Sequence, residues 1–175
     1  MLGVDPGLQI TGYGVISASR DSPARGAVEL IEAGVVRTYP KEGISARLKK
    51  VHEALSEVIT ELKPDALVIE KLFAHYKHPT TAILMGHVRG VVCLLSAVHG
   101  IPLVSIPATH VKKSITGNGH ANKIQIQRMV QNILSLKTMP EPPDVADAIA
   151  IAISYTLSLS GQGQTRRARI LKAAT

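Results

Sequence analysis

Four acidic residues lie in apolar surroundings, where a charged side chain is costly to bury. Asp5 lies in the segment GVDPG, and Glu70 ends the apolar run ALVIE. Asp144 and Asp147 lie three residues apart, directly before the run AIAIAI. Burying several carboxylates together is unfavourable unless a cation neutralises them, and carboxylate oxygens suit hard ions such as Mg²⁺ or Mn²⁺. The pattern therefore indicates a divalent-metal site formed by all four acids.

Each acid, taken singly, also has a structural explanation. Asp5, before Pro-Gly, could bond the backbone amides of a turn. Asp144 could cap a helix, Asp147 could favour the positive end of that helix, and Glu70 could pair with Lys71 or an arginine. Capping, however, does not account for a glutamate after ALVI. Asp5 and Glu70 also end strands that are expected to lie side by side, which favours a shared site.

The distribution of charge indicates a surface for a polyanion. The net charge is +7, and no Asp or Glu occurs between Glu70 and Glu141, a stretch that holds six of the seven histidines. The lysines and arginines of this stretch are Lys71, Lys77, Arg89, Lys112, Lys113, Lys123, Arg128 and Lys137. Such a long stretch of one sign is typical of a nucleic-acid-binding face. Chance segregation of the charges is the alternative.

Apolar patterning predicts alternating strands and helices. We expect strands at residues 2–4, 13–18, 28–38, 66–70 and 103–106, and helices over 45–63, 80–99 and 122–136. The last element, 144–159, is ambiguous, because AIAIAI alternates as a strand does. Its length, its alanines and its Pro-Pro-Asp start favour a helix.

The order of these elements predicts an α/β fold. Strands joined by short turns pair antiparallel, and strands joined through helices pair parallel. We therefore expect a mixed sheet, with three antiparallel strands followed by parallel strands, and helices on both faces. Residues 1–160 are expected to form a single domain. Residues 161–175, with four basic side chains and no acid, are expected to be a flexible basic tail.

Other features of the composition bear on the compartment. The single Cys93 lies in the apolar run VVCLLSAV and is expected to be a core residue, which agrees with a reducing cytoplasm. The N-terminus MLGVDPG lacks the basic and apolar regions of a signal peptide. The apolar stretches are interrupted before 18 residues, so we expect no membrane span and a cytoplasmic location.

Three motifs in order, GVDPG…TGYGVI, VIEKLF and DVADAIAIA, resemble the RuvC family of Holliday-junction resolvases over roughly residues 2–157. The resemblance implies a ribonuclease-H-like fold and an endonuclease that cuts four-way DNA junctions to 5′-phosphate and 3′-hydroxyl ends. It places the catalytic, metal-binding acids at Asp5, Glu70, Asp144 and Asp147. Two Mg²⁺ ions per site are implied, with Mn²⁺ also supporting activity.

The resemblance also assigns residues that would contact DNA. The segment VKKSITGNGHANK, which we expect to be a loop, is similar to the lysine-bearing segment of the family. This implies Lys112, Lys113 and Lys123 near the scissile phosphate, with Lys123 catalytic; plain solvated lysines are the alternative. Phe73 would stack on an unpaired base near the crossover, with Tyr76 assisting, unless Phe73 is an ordinary core residue.

A four-way junction has approximate two-fold symmetry, which a C2 homodimer with two sites would match. The candidate interface is the apolar face of the second helix, and burial of that face against the chain's own sheet is an equal alternative. This face comprises Ile83, Leu84, His87, Val88, Val91 and Leu95. The resemblance also implies cooperation with the RuvA–RuvB branch-migration complex.

Two other function classes are compatible with parts of the pattern. A non-catalytic nucleic-acid-binding module would need only the acid-free stretch, but acids facing DNA without a metal would repel phosphates. An actin-like or sugar-kinase-like ATPase also has D-x-G after a strand. It needs a second such motif and about twice this length, and neither occurs here.

Overall fold

A computed structural model describes residues 1–18, 28–71 and 79–173, with side chains described in these ranges except for Pro79 and residues 160–173. The elements in chain order are β1 (Leu2–Asp5), β2 (Ile10–Ala18), β3 (Val28–Arg37), α1 (Ile44–Leu62), β4 (Leu67–Glu70), α2 (Pro79–His99), β5 (Leu103–Ile106), α3 (Ala108–Thr116), α4 (Lys123–Ile133) and α5 (Pro143–Ala173).

The five strands form one mixed sheet in the order β3-β2-β1-β4-β5. The first three strands pair antiparallel, whereas β4 pairs parallel with both β1 and β5. The sequence prediction of a mixed sheet is therefore confirmed. Because β1 and β4 lie side by side at its centre, their carboxyl ends reach the same edge of the sheet.

Helices cover both faces of the sheet, as predicted. Val4 and Ile69 point toward α1 and α2 and join their apolar residues in one core. Val68 points the other way and joins a second core with residues of α3, α4 and α5. Since side chains alternate along a strand, Asp5 and Glu70 follow Val4 and Ile69 and face the α5 side.

The final helix was the ambiguous element, and its burial explains the ambiguity. Every residue from Ala148 to Ser154 is buried, because α5 packs against β1 and β2 on one side and against α3 and α4 on others. A helix buried on all sides carries no amphipathic period. The helix prediction is confirmed. The backbone helix continues to Ala173, and the separation of a tail at residue 161 stays a prediction.

Two local expectations were wrong. Residues 108–116 form α3 rather than a loop, because Val111 and Ile115, one helical turn apart, are buried against the core. Tertiary burial stabilises this short helix despite its β-branched residues. Cys93 is exposed rather than in the core. It lies on α2, where apolar residues occur on the solvent face as well as on the buried face, so composition alone could not place it.

Glycines allow α5 to pack with its backbone directly on the sheet. A Cβ added to Gly3 would lie 2.2 Å from the carbonyl oxygen of Ala148, and one added to Gly12 would lie 2.1 Å from that of Asp144. Such contacts are far shorter than a side chain permits, so only glycine fits at these positions. The glycines of β1 and β2 therefore set the distance between α5 and the strand that carries Asp5.

We expect Gly3→Ala to destabilise the fold by about 3 kcal/mol or more, because the helix backbone must move to admit the methyl group. Urea unfolding of the two proteins measures the difference. Gly43→Ala is the control, since a Cβ there has nothing within 4 Å, and its effect should stay below about 1 kcal/mol. Equal stability of the Gly3→Ala and wild-type chains would contradict this account of α5 packing.

Candidate active site

Neighbouring strands place Asp5 and Glu70 together. Val4 is in register with Ile69 across the parallel pair β1–β4, so the next residues are Asp5 and Glu70. Register partners on parallel strands point to the same face, and the strands lie about 4.8 Å apart. Both acidic side chains are partly buried at the carboxyl ends of their strands.

The other two acids come from the first turns of α5. Asp144 and Asp147 are three residues apart and so share one side of the helix. The carbonyl of Asp144 lies directly over Gly12, and Gly12 is the register partner of Asp5 on β2. The close packing of α5 on this glycine therefore brings both helical acids to the edge that carries Asp5.

The four carboxyl groups are near enough to affect one another electrostatically. Burial raises the pKa of Asp5 to about 7, and the charges of Asp147, Glu70 and Asp144 add to this effect. Burial and the charge of Asp147 also raise the pKa of Glu70. Burial raises the pKa of Asp147 in spite of the opposing charge of Lys123. Mutual repulsion of this kind indicates a site that favours a cation.

Two of the three predicted lysines face the acids. The ammonium Nζ of Lys123 lies 3.4 Å from Oδ2 of Asp147. Burial lowers the pKa of Lys123, but Asp147 and the other acids of the pocket outweigh this effect and raise it. The charge of Lys112 lowers the pKa values of Glu70 and Asp147. Lys113 is exposed on the same helix as Lys112.

The lysines are placed by helices rather than by the loop we expected. Lys112 and Lys113 lie in α3, and Gly117, in the left-handed conformation, ends that helix. Lys123 is the first residue of α4. Asn122 caps this helix, accepting a hydrogen bond from the backbone of Gln125, whose side chain bonds the backbone of Asn122 in return. The cap thereby fixes the point from which Lys123 reaches the acids.

Phe73 and Tyr76 lie outside the described residues, so their predicted stacking on DNA bases stays a prediction. Sequence reasoning also missed two contributors. Gly12 is one, and Arg89 of α2, which donates a hydrogen bond to the backbone carbonyl of Glu70, is the other. The GYG segment was a usable signal for Gly12, because glycines inside a strand often mark a close backbone approach.

The oxygen atoms of the four carboxyl groups are chemically suited to bind a divalent cation. Four carboxylates provide the hard oxygen ligands that Mg²⁺ and Mn²⁺ prefer, and a cation would relieve their repulsion. Within the described ranges, however, no three Asp, Glu, His or Cys side chains are grouped closely enough to hold a metal ion. Holding a divalent ion would therefore require these acidic side chains to move closer together, and Lys123 now lies beside one of them, Asp147.

The raised pKa of Asp5 predicts a pH-dependent stability. The folded state holds the Asp5 proton more tightly than the unfolded chain, where the pKa is near 4. Asp5 therefore contributes stability below about pH 4, and this is lost as pH rises through about 7. In EDTA, we expect the Tm of Asp5→Asn to exceed that of the wild type by on the order of 5 °C at pH 8.

Calorimetry across pH 4 to 8 measures this difference, which should shrink toward pH 4, where Asp5 is protonated and resembles Asn. Mg²⁺ should raise the Tm of the wild type more at pH 8 than at pH 5, because it competes with protons for the carboxylates. Parallel Tm profiles for the two proteins would show that Asp5 does not carry the shifted pKa.

Comparisons with known proteins identify the family of this chain. The family described as Crossover junction endodeoxyribonuclease RuvC matches residues 1–155. The RuvC of Rhodopirellula baltica is 49% identical over 150 residues, covering 86% of this chain and 82% of that protein. The Thermus thermophilus RuvC structure superposes with a TM-score of 0.82 at 30% identity, covering 93% of this chain and 97% of that one.

A second Thermus thermophilus structure, RuvC in complex with Holliday junction substrate, gives a TM-score of 0.81 at 31% identity and covers 90% of this chain and 93% of that one. The match extends over all four carboxylates and both lysines of the pocket, since the family match runs from residue 1 to residue 155. The chain therefore belongs to the RuvC family of crossover junction endodeoxyribonucleases, within the ribonuclease-H-like fold.

Proposed function

We propose that this protein resolves four-way DNA junctions by paired, metal-dependent hydrolysis of phosphodiester bonds, in DNA recombination and repair. The observation that carries the proposal is the pocket in which Asp5 is surrounded by Glu70, Asp144 and Asp147, with Lys123 at its rim. An ATPase and a non-catalytic module lose support, because the family of this chain is one of nucleases.

We propose that the four acids hold two Mg²⁺ ions, with Mn²⁺ as an effective substitute. Ions bound there would acidify the attacking water and stabilise the leaving oxygen. The family resemblance implies products with 5′-phosphate and 3′-hydroxyl ends. Asp5 and Glu70, fixed at strand ends, provide the rigid side of the site. Asp144 and Asp147 provide the other side from a helix that the glycines hold in place.

The lysines would act on the DNA backbone. Lys123 would leave Asp147 and stabilise negative charge on the scissile phosphate, and Lys112 on the neighbouring helix would assist it. The exposed Lys113 would contact a flanking phosphate. Helices α3 and α4 come from the acid-free part of the sequence, so DNA would approach over this face. The opposite face carries exposed glutamates of α1, including Glu53, Glu57 and Glu61.

Asp5→Asn is expected to lose cleavage of a synthetic four-way junction by at least ~10²-fold, because loss of a direct ligand exceeds the 10–100-fold effect typical of outer partners. Binding of the junction in EDTA should stay within about threefold of the wild type. Glu61→Gln, an exposed acid of the opposite face, is the control and should cut normally. Cutting in EDTA, or equal cutting of linear duplex, would reject the proposal.

We further propose a C2 homodimer through α2, on a face that keeps Ile83 and His87 of the predicted interface and leaves out its other four residues. Val88 and Leu95 are fully buried, and Leu84 and Val91 pack against the same core, so these four serve the chain's own fold. The exposed face of α2 lies on a different side of the helix from these four residues. We name it the α2 seam, and it comprises Ile83, His87, Gly90, Leu94 and Val98.

The α2 seam has the character of a helix–helix contact. Its members are spaced three or four residues apart, so they form one stripe along the helix. Ile83, Leu94 and Val98 are 61%, 54% and 66% exposed. Gly90 has open space where a Cβ would lie, which would allow a partner helix to approach closely. Two-fold pairing of α2 would cover this stripe and set two active sites on one junction.

The same helix has the length and hydropathy of a membrane span over Thr80–His99, with 22% of that window buried. Its buried residues, however, contact the core shared with α1 and the sheet. Arg89 is also hydrogen-bonded to Glu70 and Ser105 at the sheet edge. We therefore propose that a second copy of the chain, rather than lipid, covers the exposed side.

We expect Leu94→Glu to weaken self-association by ~10²-fold or more, because a charge in the α2 seam cannot be desolvated against its own symmetry copy. Sedimentation measures the dimer, and paired nicking of a junction should fall with it. Ile31→Glu, a 49% exposed apolar residue of β3, is the control and should remain dimeric. A dimeric Leu94→Glu variant would rule out the seam as the interface.

The family resemblance extends the proposal in three further respects. Phe73, with Tyr76, would stack on an unpaired base at the crossover, from the segment directly after Glu70. The protein would act with the RuvA–RuvB branch-migration complex. Its location would be the cytoplasm.

A further inference from the structure

We propose that Arg89 is a positioning residue of the active site, which holds the backbone of Glu70 by supplying a hydrogen bond that Pro6 cannot make. The inference rests on the proposed metal site, because its consequence is the placement of the Glu70 carboxylate. It concerns a residue that lies on α2, outside the carboxylate and lysine cluster.

The contacts of Arg89 join two strand ends. Its Nη1 donates a hydrogen bond to the carbonyl oxygen of Glu70 at 2.7 Å, and its Nη2 donates to Oγ of Ser105 at 2.9 Å. Glu70 is the last residue of β4, and Ser105 lies in β5. The planar guanidinium presents both donors in a fixed geometry, which an ammonium group does not. One side chain thus ties α2 to the edge of the sheet that carries the chemistry.

The carbonyl of Glu70 needs this donor because of the sequence of β1. The amide of Leu2 donates to the carbonyl of Ala66 at 2.9 Å. In a parallel pair this pattern repeats every two residues. The amide of Val4 would therefore donate to the carbonyl of Val68, and the nitrogen of residue 6 would lie opposite the carbonyl of Glu70. Residue 6 is proline and has no N–H. The carbonyl of Glu70 is partly buried, where a missing donor is unfavourable, and Arg89 supplies that donor.

This hydrogen bond acts at the point where the chain leaves the sheet. On the β5 side, the amide of Lys71 donates to the carbonyl of Ile106 at 2.8 Å. On the β1 side, Arg89 alone holds the Glu70 carbonyl among the described residues. Loss of the guanidinium would free this side of the peptide to rotate and would shift the Glu70 carboxylate relative to Asp5. Displacements of about 1 Å suffice to impair a catalytic site.

The test measures the affinity for Mn²⁺ of the wild-type chain and of Arg89→Met. Electron paramagnetic resonance gives the concentration of free Mn²⁺ in each titration. We expect the variant to bind Mn²⁺ roughly tenfold more weakly, in the range found when outer partners of metal ligands are removed. Junction affinity in EDTA should stay within about twofold of the wild type. Arg89→Gln, which is polar but too short to make both contacts, should show the same loss and serves if the Met variant does not fold.

Ser105→Ala is the matched control, because it removes the Nη2 contact and leaves the contact with Glu70. Its Mn²⁺ affinity should stay within about threefold of the wild type. Wild-type affinity in both Arg89 variants, or a Ser105→Ala loss as large as theirs, would overturn the inference. A fall in junction affinity as large as the fall in Mn²⁺ affinity would also overturn it, because Arg89 would then be a DNA contact. If the wild type bound no Mn²⁺, the proposed metal site itself would fail.

Discussion

The direct contact between the backbone of α5 and the glycines of the sheet is the constraint on which the site depends. A methyl group at Gly12 would overlap the carbonyl of Asp144, so no residue other than glycine lets α5 lie this close to the sheet. This close approach brings the carboxylates of Asp144 and Asp147 to the edge of the sheet where β1 ends in Asp5 and β4 ends in Glu70. The carboxylates repel one another, and the packing of the buried segment 148–154 of α5 holds them together against that repulsion.

The pocket is a local excess of negative charge on an otherwise basic face. Burial and three neighbouring carboxylates bring the pKa of Asp5 to about 7, while Lys112 and Lys123 offset part of the charge from α3 and α4. A site of this kind weakens the fold, as functional sites commonly do. The same repulsion would give the pocket an affinity for divalent ions. The surrounding lysines would then attract the phosphate backbone of DNA and offset its repulsion by the acidic residues.

The two faces of the sheet divide the roles of the molecule. Helices α3, α4 and α5 provide the acids and lysines on one face, and α1 and α2 build the core on the other. Helix α2 nevertheless reaches the site through Arg89, and its exposed stripe is the proposed contact with a second subunit. One helix would therefore contribute both to the placement of Glu70 and to the pairing of two sites on a two-fold junction.

The sequence alone predicted the mixed sheet, and it singled out the four acids as candidates for one site. Short apolar runs and helical periods are local signals, and a carboxylate that ends an apolar strand is conspicuous. Tertiary structure decided what depends on distant neighbours. Whether Lys112 lay in a loop or a helix depended on burial of Val111 and Ile115. Which side of α2 is exposed depended on which side met the core. Arg89 and Gly12 gained their roles only through partners 19 and 132 residues away in the chain, Glu70 and Asp144, because folding alone brings such residues into contact.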